Sequence, residues 1–137
     1  MDEQLLEIRQ YLGTGYQPLI DYSDWRVAIL RWEEASLPGN IECMERHTQT
    51  DEVFVLLNGW ATLLIGGNQG KVSDIQVEVM SSGKLFNVKQ NTWHTILLSR
   101  DASILIVENR DTGQDNSEFF QLTPEQRLMI LGLEYHQ

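Results

Sequence analysis

Short apolar or alternating runs, separated by turn residues, make up the middle of the chain and predict β-strands there. Alternation indicates a strand with one buried face, and a short apolar run bounded by glycine or asparagine indicates a buried strand. The predicted strands cover residues 25–32, 53–57, 60–65, 75–80, 85–88, 94–98 and 103–107, together with a strand that carries Glu45 and His47. This pattern predicts a small antiparallel β domain, either a barrel or a sandwich.

A helix is predicted near the start of the chain. Leu5, Ile8 and Leu12 fall on one helical face, and Gly13 follows them as a stop signal. The spacing therefore predicts a short helix over residues 2–12.

A second helix is predicted near the end of the chain. Thr123 is a good N-cap, Pro124 suits the first helical turn, and Gln126 completes the spacing of a capping box. The helix is expected to cover about residues 124–131 and to stop at Gly132.

A hairpin is predicted where Asn58-Gly59 separates the apolar runs 53–57 and 60–65. An Asn-Gly pair suits a type I′ turn because both central residues of that turn need a positive φ. The two runs are therefore expected to pair directly.

The stretch from Gly39 to Gly59 also carries a spaced set of polar residues. Five residues separate Gly39 from Glu45-Arg46-His47, four more precede Glu52, and six more precede Gly59. This spacing resembles the first motif of the cupin family. The departure is Glu45, which stands where that family usually has the first histidine of a His-x-His pair.

A weaker likeness to the second cupin motif follows downstream. Gly83, Lys89-Gln90-Asn91, His94 and Leu98 keep that motif's spacing. The family usually has proline, glycine and asparagine where this chain has Lys89, Asn91 and Leu98.

The resemblance implies an all-β fold, a cupin-like double-sheet jelly-roll barrel with short N- and C-terminal helices. Residues 1–137 would form a single domain with the barrel core at about 25–110. In the cupin family the two motifs face each other inside the barrel. The resemblance therefore implies four candidate metal ligands: Glu45, His47, Glu52 and His94.

Two imidazoles and two carboxylates would suit a divalent metal such as Mn, Fe, Ni or Zn. Without a metal, two nearby buried carboxylates would repel each other, which favours a cation between them. The alternative is that Glu45 pairs with a neighbouring arginine or lysine and the pocket holds no metal.

Further side chains are expected to line the barrel interior because they share a strand face with the candidate ligands. They are Cys43, Phe54, Leu56, Ile96 and Leu98. Core packing is the default interpretation for the apolar ones. Cys43, a small and usually buried residue type, could also be aimed into the pocket.

Composition limits the classes of partner. A net charge of −10 over 137 residues argues against nucleic acid and against anionic membranes. The single cysteine rules out an internal disulfide and fits a cytoplasmic location. No apolar run approaches the length of a membrane span.

Three functions remain open from the sequence, since fold does not fix function. The first is a metal-dependent enzyme acting on a small polar molecule such as a sugar or a carboxylate. The second is a metal-free small-molecule-binding module, and the third is a structural barrel without catalytic activity. The catalytic residues stay unassigned. The resemblance to cupins also implies a homodimer, and a partner subunit would cover long β-rich edges such as residues 25–32.

Overall fold

Ten β-strands and one α-helix make up the computed structural model, which describes residues 1–137. The strands are β1 (Gly15–Tyr22), β2 (Trp25–Arg31), β3 (Cys43–His47), β4 (Glu52–Asn58), β5 (Ala61–Ile65), β6 (Gln76–Val79), β7 (Phe86–Val88), β8 (His94–Leu98), β9 (Ser103–Asn109) and β10 (Ser117–Gln121). The helix is α1 (Pro124–Leu131), and short 3-10 turns cover Glu34–Ser36, Pro38–Asn40 and Gln114–Asn116. None of these helices has the length and apolar character needed to cross a membrane.

The strands form two five-stranded antiparallel sheets. One has the order β1-β2-β9-β4-β7, and the other has the order β10-β3-β8-β5-β6. Each of β3, β4, β8 and β9 therefore lies inside a sheet rather than at its edge.

The main apolar core is built from alternate residues of these strands. In β9, Ile104 and Ile106 are buried while Leu105 between them is partly exposed. The same alternation in β4 buries Phe54 and Leu56. Because successive side chains of a strand point to opposite faces, one face of each strand supplies this core.

A second apolar cluster covers the opposite face of the β10-β3-β8-β5-β6 sheet. Ile130 of α1 is fully buried in it. Trp93 also lies here, on the sheet face opposite His94. Its ring is 5.9 Å from that of Phe120, and the Arg46 guanidinium is 4.4 Å from its centroid. The buried members are Ile41, Met44, Leu64, Val72, Trp93, Leu97, Leu122 and Ile130.

The C-terminal helix forms where the capping signals predict it. The Thr123 side chain accepts a hydrogen bond from the Gln126 backbone N–H at 3.1 Å, and the Gln126 side chain accepts one from the Thr123 backbone N–H at 2.9 Å. Gly132 caps the other end. These reciprocal bonds satisfy N–H groups that no preceding turn could satisfy.

The predicted hairpin at Asn58-Gly59 is wrong. Strands β4 and β5 belong to different sheets, so this turn carries the chain from one sheet to the other. Gly59 alone has a positive φ, of 79°, whereas a type I′ turn needs two such residues. The Asn58 side-chain amide donates instead to the Asp101 carbonyl at 3.0 Å.

The predicted N-terminal helix is also wrong. Residues 6–12 form no helix or strand, and Leu5, Leu6, Ile8 and Leu12 are exposed. A helix this short is marginal unless an apolar face packs against the core. None of these side chains joins either apolar cluster.

Two strands, β1 and β10, are not predicted from the sequence patterns, and both lie at sheet edges. β1 contains Pro18, where its register against β2 shifts, a position that suits proline because an edge strand need not donate every N–H. β10 pairs with β3.

The strand expected at a sheet edge, residues 25–32, lies inside its sheet, between β1 and β9. The edge-covering reason for a homodimer does not apply to it, and the homodimer stays a prediction.

Replacing Gly59 with alanine should destabilise the protein by more than about 1 kcal/mol, because alanine disfavours a positive φ. A methyl group there would also come within 2.7 Å of the Ala102 Cα. Gly83 is the matched control, since its φ is +83° but nothing lies within 4 Å of its added methyl. Urea unfolding should show a larger loss for Gly59→Ala than for Gly83→Ala. Equal losses would mean that backbone conformation alone accounts for the effect.

Candidate functional site

The four candidate ligands come from three strands that meet across the gap between the sheets. Glu45 and His47 lie on β3, and Glu45 is in register with His94 of the neighbouring β8. Glu52 begins β4 in the opposite sheet. The i, i+2 spacing sends Glu45 and His47 to the same face, so the four side chains converge.

Glu52 lies at the centre of this group. Its Oε1 atom is 3.1 Å from the Nε2 atom of His47 and 3.0 Å from the Nε2 atom of His94. The Glu45 Oε1 atom lies 3.8 Å and 4.0 Å from the same two nitrogens. The Glu52 side chain is 6% exposed and the Glu45 side chain is 41% exposed, so Glu52 forms the floor of the site and Glu45 its outer side.

The outer ring nitrogens of both histidines have partners of their own. The Nδ1 atom of His94 is 2.9 Å from the Thr92 carbonyl oxygen, which can only accept, so this nitrogen carries the proton. The Nδ1 atom of His47 is 2.8 Å from the Ser117 hydroxyl. In neutral His94 the Nε2 lone pair therefore faces the site, as a metal ligand requires.

Charge and burial oppose each other at this group. Burial lowers the pKa of His47 and of His94, but their hydrogen bonds with Glu52 and its charge outweigh burial and raise both pKa values above the ordinary one. Burial acts in the other direction on Glu52, and the two histidines overcome it, so the pKa of Glu52 falls to about 2. In the metal-free protein, the negatively charged Glu52 carboxylate therefore lies between two imidazoles and favours their protonation.

One further carboxylate of the site, that of Glu108, is missed by the sequence analysis. The predicted strand ends at Val107, whereas β9 continues to Asn109. The alternation that buries Ile104 and Ile106 continues to Glu108 and would have placed it on the inner face. The signal in the sequence is a glutamate at a strand position that the alternation predicts to face inward, where glutamate is uncommon.

Glu108 lies beside the four candidate ligands. One oxygen of its carboxylate and the ligand atoms of His47 and Glu52 all lie within 4.8 Å of one another. Tyr16 donates its hydroxyl hydrogen to Glu108, and the Nη1 atom of Arg26 is 3.9 Å away. Burial raises the pKa of Glu108 to about 7, and the charge of Glu52 adds to the rise.

A cavity of about 600 Å³ opens over this group. Of the predicted lining residues, Phe54, Ile96, Leu98 and the exposed Cys43 lie in its wall. Leu56 does not line the cavity and packs only within the main apolar core. The cavity is therefore apolar on part of its wall and strongly acidic around the histidines.

Three of the candidate ligand atoms, those of Glu45, His47 and His94, lie within 4.8 Å of one another and fit a shared divalent cation. Atoms that bind one ion at about 2.0–2.2 Å lie roughly 3–4 Å from one another. The Nε2 atoms of His47 and His94 and the carboxylate oxygens facing them lie 3.0–4.0 Å apart. No lysine or arginine nitrogen lies within 4.0 Å of the Glu45 carboxylate, so the structure offers no basic partner for it.

Residues 12–128 match the model of the family described as ureidoglycolate lyase. A ureidoglycolate lyase of Rhizobium etli is 29% identical over 105 residues, covering 72% of this chain and 61% of the relative. One from Brucella anthropi is 30% identical over 98 residues, covering 69% and 58%. The chain thus spans about three fifths of the length of these curated relatives.

Solved structures share the architecture at low sequence identity. A cupin 2 domain-containing protein from Halorhodospira halophila has a TM-score of 0.56 at 14% identity, covering 89% of this chain and 78% of that one. A cupin-2 domain protein from Shewanella frigidimarina has a TM-score of 0.51 at 19% identity, covering 72% and 85%. These likenesses confirm the predicted cupin jelly-roll fold.

Replacing Glu52 with glutamine should lower the pKa of both His47 and His94 in metal-free protein. The carboxylate that raises them would be gone, while burial, which lowers them, would remain. NMR titration of the ring protons measures this shift. Glu45→Gln is the control and should shift them less, since the Glu45 carboxylate is more distant and more exposed. Equal shifts in the two variants would contradict a central role for Glu52.

Proposed function

The chain belongs to the ureidoglycolate lyase family, and on that premise we propose that it cleaves ureidoglycolate or a closely related ureido acid. In ureidoglycolate one carbon carries a hydroxyl, a carboxylate and a ureido nitrogen. Cleavage breaks the bond from that carbon to the nitrogen and forms a carbonyl from the hydroxyl. The hydroxyl loses a proton, the leaving nitrogen gains one, and the products are glyoxylate and urea.

The observation that carries this proposal is a cavity whose wall includes two imidazoles and three carboxylates, in a chain matched by the family over residues 12–128. They belong to His47, His94, Glu45, Glu52 and Glu108. The reaction needs groups that bind a polar substrate and move two protons. Imidazoles and carboxylates are the side chains most suited to both tasks. A cavity of about 600 Å³ is within the range for small-molecule sites.

We assign Glu45, His47, Glu52 and His94 as the residues that would hold a divalent cation. Two nitrogens and two oxygens suit Mn, Fe, Ni or Zn. Such an ion, when bound, supplies a Lewis acid that polarises substrate oxygens. The hydrogen bond that the His94 Nδ1–H donates to the Thr92 carbonyl, and the hydrogen bond between His47 Nδ1 and the Ser117 hydroxyl, would hold both imidazoles in orientation.

We assign proton transfer to Glu108. Its carboxylate is buried beside His47 and Glu52, and it accepts a hydrogen bond from Tyr16. Tyr16 and Glu108 both lie in the cavity wall, so a substrate hydroxyl in the cavity can reach this pair. A carboxylate that takes the hydroxyl proton can return it to the leaving nitrogen.

Metal content tests the assignment of the four ligands. Elemental analysis of protein purified without an affinity tag should find about one Mn, Fe, Ni or Zn per chain, and His94→Ala should lose it because an imidazole ligand is gone. The control is His136→Ala, since His136 is exposed and stacks on Trp60 away from the site. Absence of metal in the unaltered protein, with none taken up on addition, would favour the metal-free binding module instead.

Release of urea from ureidoglycolate tests the reaction. Glu108→Gln should lower kcat by about 10²- to 10⁴-fold, the range for loss of a general acid or base. The variant should keep its metal content, because the proposed ligands are untouched. No urea release by the metal-loaded unaltered protein would overturn the lyase proposal. Loss of metal from Glu108→Gln would move Glu108 into the ligand set.

A further inference from the structure

The cavity wall carries three aromatic side chains apart from the imidazoles, those of Tyr16, Phe54 and Phe119. Phe54 is 3% exposed and packs in the main apolar core. Tyr16 is tied to Glu108 by the hydrogen bond of its hydroxyl. Phe119 is the most exposed of the three, at 56%, and it belongs to neither apolar cluster. Its ring is therefore an apolar surface of the wall that packing within the chain does not use.

The strand register places the Phe119 side chain on the inner face of its sheet. Where β10 pairs with β3, Ser117 lies opposite His47 and Phe119 lies opposite Glu45. Directly opposed residues of an antiparallel pair project to the same face of the sheet. Ser117 identifies that face as the inner one, since its hydroxyl is 2.8 Å from the His47 Nδ1 atom. Phe119 therefore projects into the cavity beside Glu45.

The neighbouring residue of β10 points to the other face and is packed there. The Phe120 ring lies 5.9 Å from that of Trp93, in the apolar cluster on the opposite side of the sheet. Successive side chains of a strand alternate between faces, so this contact again directs Phe119 inward. Because β10 is an edge strand, no further strand of the sheet lies beside it.

Phe119 lies at mid-depth in the cavity. On the inner face of β3, His47 is buried, the Glu45 side chain is 41% exposed, and Cys43 is exposed. Exposure thus increases from His47 to Cys43, and Phe119 is level with Glu45 between them. Opposed side chains begin about 4.5–5.5 Å apart at their Cβ atoms. A small molecule in contact with Glu45 therefore also reaches the Phe119 ring.

We propose that Phe119 is a substrate-contacting residue whose ring packs against the planar ureido group of the substrate. Flat π-systems pack on aromatic rings in offset arrangements, and small-molecule sites combine aromatic surface with a few polar groups. The ureido group is the uncharged end of ureidoglycolate, so it suits the one exposed phenyl ring of an otherwise acidic wall. The identity of the planar group as ureido rests on the proposed function, whereas the position of the ring rests on the strand register.

Steady-state kinetics of urea release test this contact. Phe119→Ala should raise KM for ureidoglycolate at least about threefold with a smaller change in kcat, as expected for loss of an aromatic contact made in binding. Phe119→Tyr keeps the ring and should keep KM. Tyr22→Ala is the matched control, because Tyr22 is also an exposed aromatic residue of an edge strand but lies outside the cavity wall.

Isothermal titration with hydantoate and with glycolate supplies a readout without turnover. Hydantoate has the carboxylate and the ureido group of ureidoglycolate but lacks the hydroxyl that becomes the carbonyl, and glycolate lacks the ureido group. Phe119→Ala should lower hydantoate affinity at least about threefold and leave glycolate affinity unchanged. Phe119→Tyr should leave both affinities unchanged.

The lyase proposal and this inference fail in different ways. If the unaltered protein releases no urea but binds hydantoate through Phe119, the lyase proposal fails and this inference stands. If it releases urea while Phe119→Ala leaves KM and hydantoate affinity unchanged, this inference is overturned. Equal weakening of glycolate and hydantoate by Phe119→Ala would also overturn it. So would a changed oligomeric state with unchanged affinity, since the ring would then be a subunit contact.

Discussion

The interaction on which the site depends is the contact of one buried carboxylate with two imidazoles. Glu52 starts a strand of one sheet, and His47 and His94 belong to the other, so these contacts join the two sheets across the interior. Removing a carboxylate from water costs on the order of several kcal/mol unless partners compensate it. The two ring nitrogens provide that compensation, and their own outer nitrogens are held by Ser117 and Thr92.

The barrel interior changes character along its length because of the strand period. In β9, Ile104 and Ile106 fill the apolar core, and the next inward position is Glu108. In β8, the order is reversed, since His94 comes before Ile96 and Leu98. Antiparallel strands place these polar ends together, so one end of the barrel is packed and the other holds a cavity.

Local signals failed where long-range pairing competed with them. Asn58-Gly59 has the composition of a tight hairpin, but β4 pairs with β7 and β9 instead, and the turn serves a crossing between sheets. The helical spacing at residues 2–12 has no apolar surface to pack on. By contrast, the helix at Pro124–Leu131 was predictable because its capping bonds are local and Ile130 is buried against the sheet.

The sequence by itself predicted a small antiparallel β domain, because strand alternation is encoded within short stretches. The resemblance of its motif spacing to the cupin family added the jelly-roll fold and the candidates Glu45, His47, Glu52 and His94. Only the tertiary structure decided which further groups face the cavity. Glu108 is 56 residues beyond Glu52, and its donor Tyr16 is 92 residues away in the chain. Contacts between distant strands leave no local trace, since they depend on the order of the strands within the two sheets.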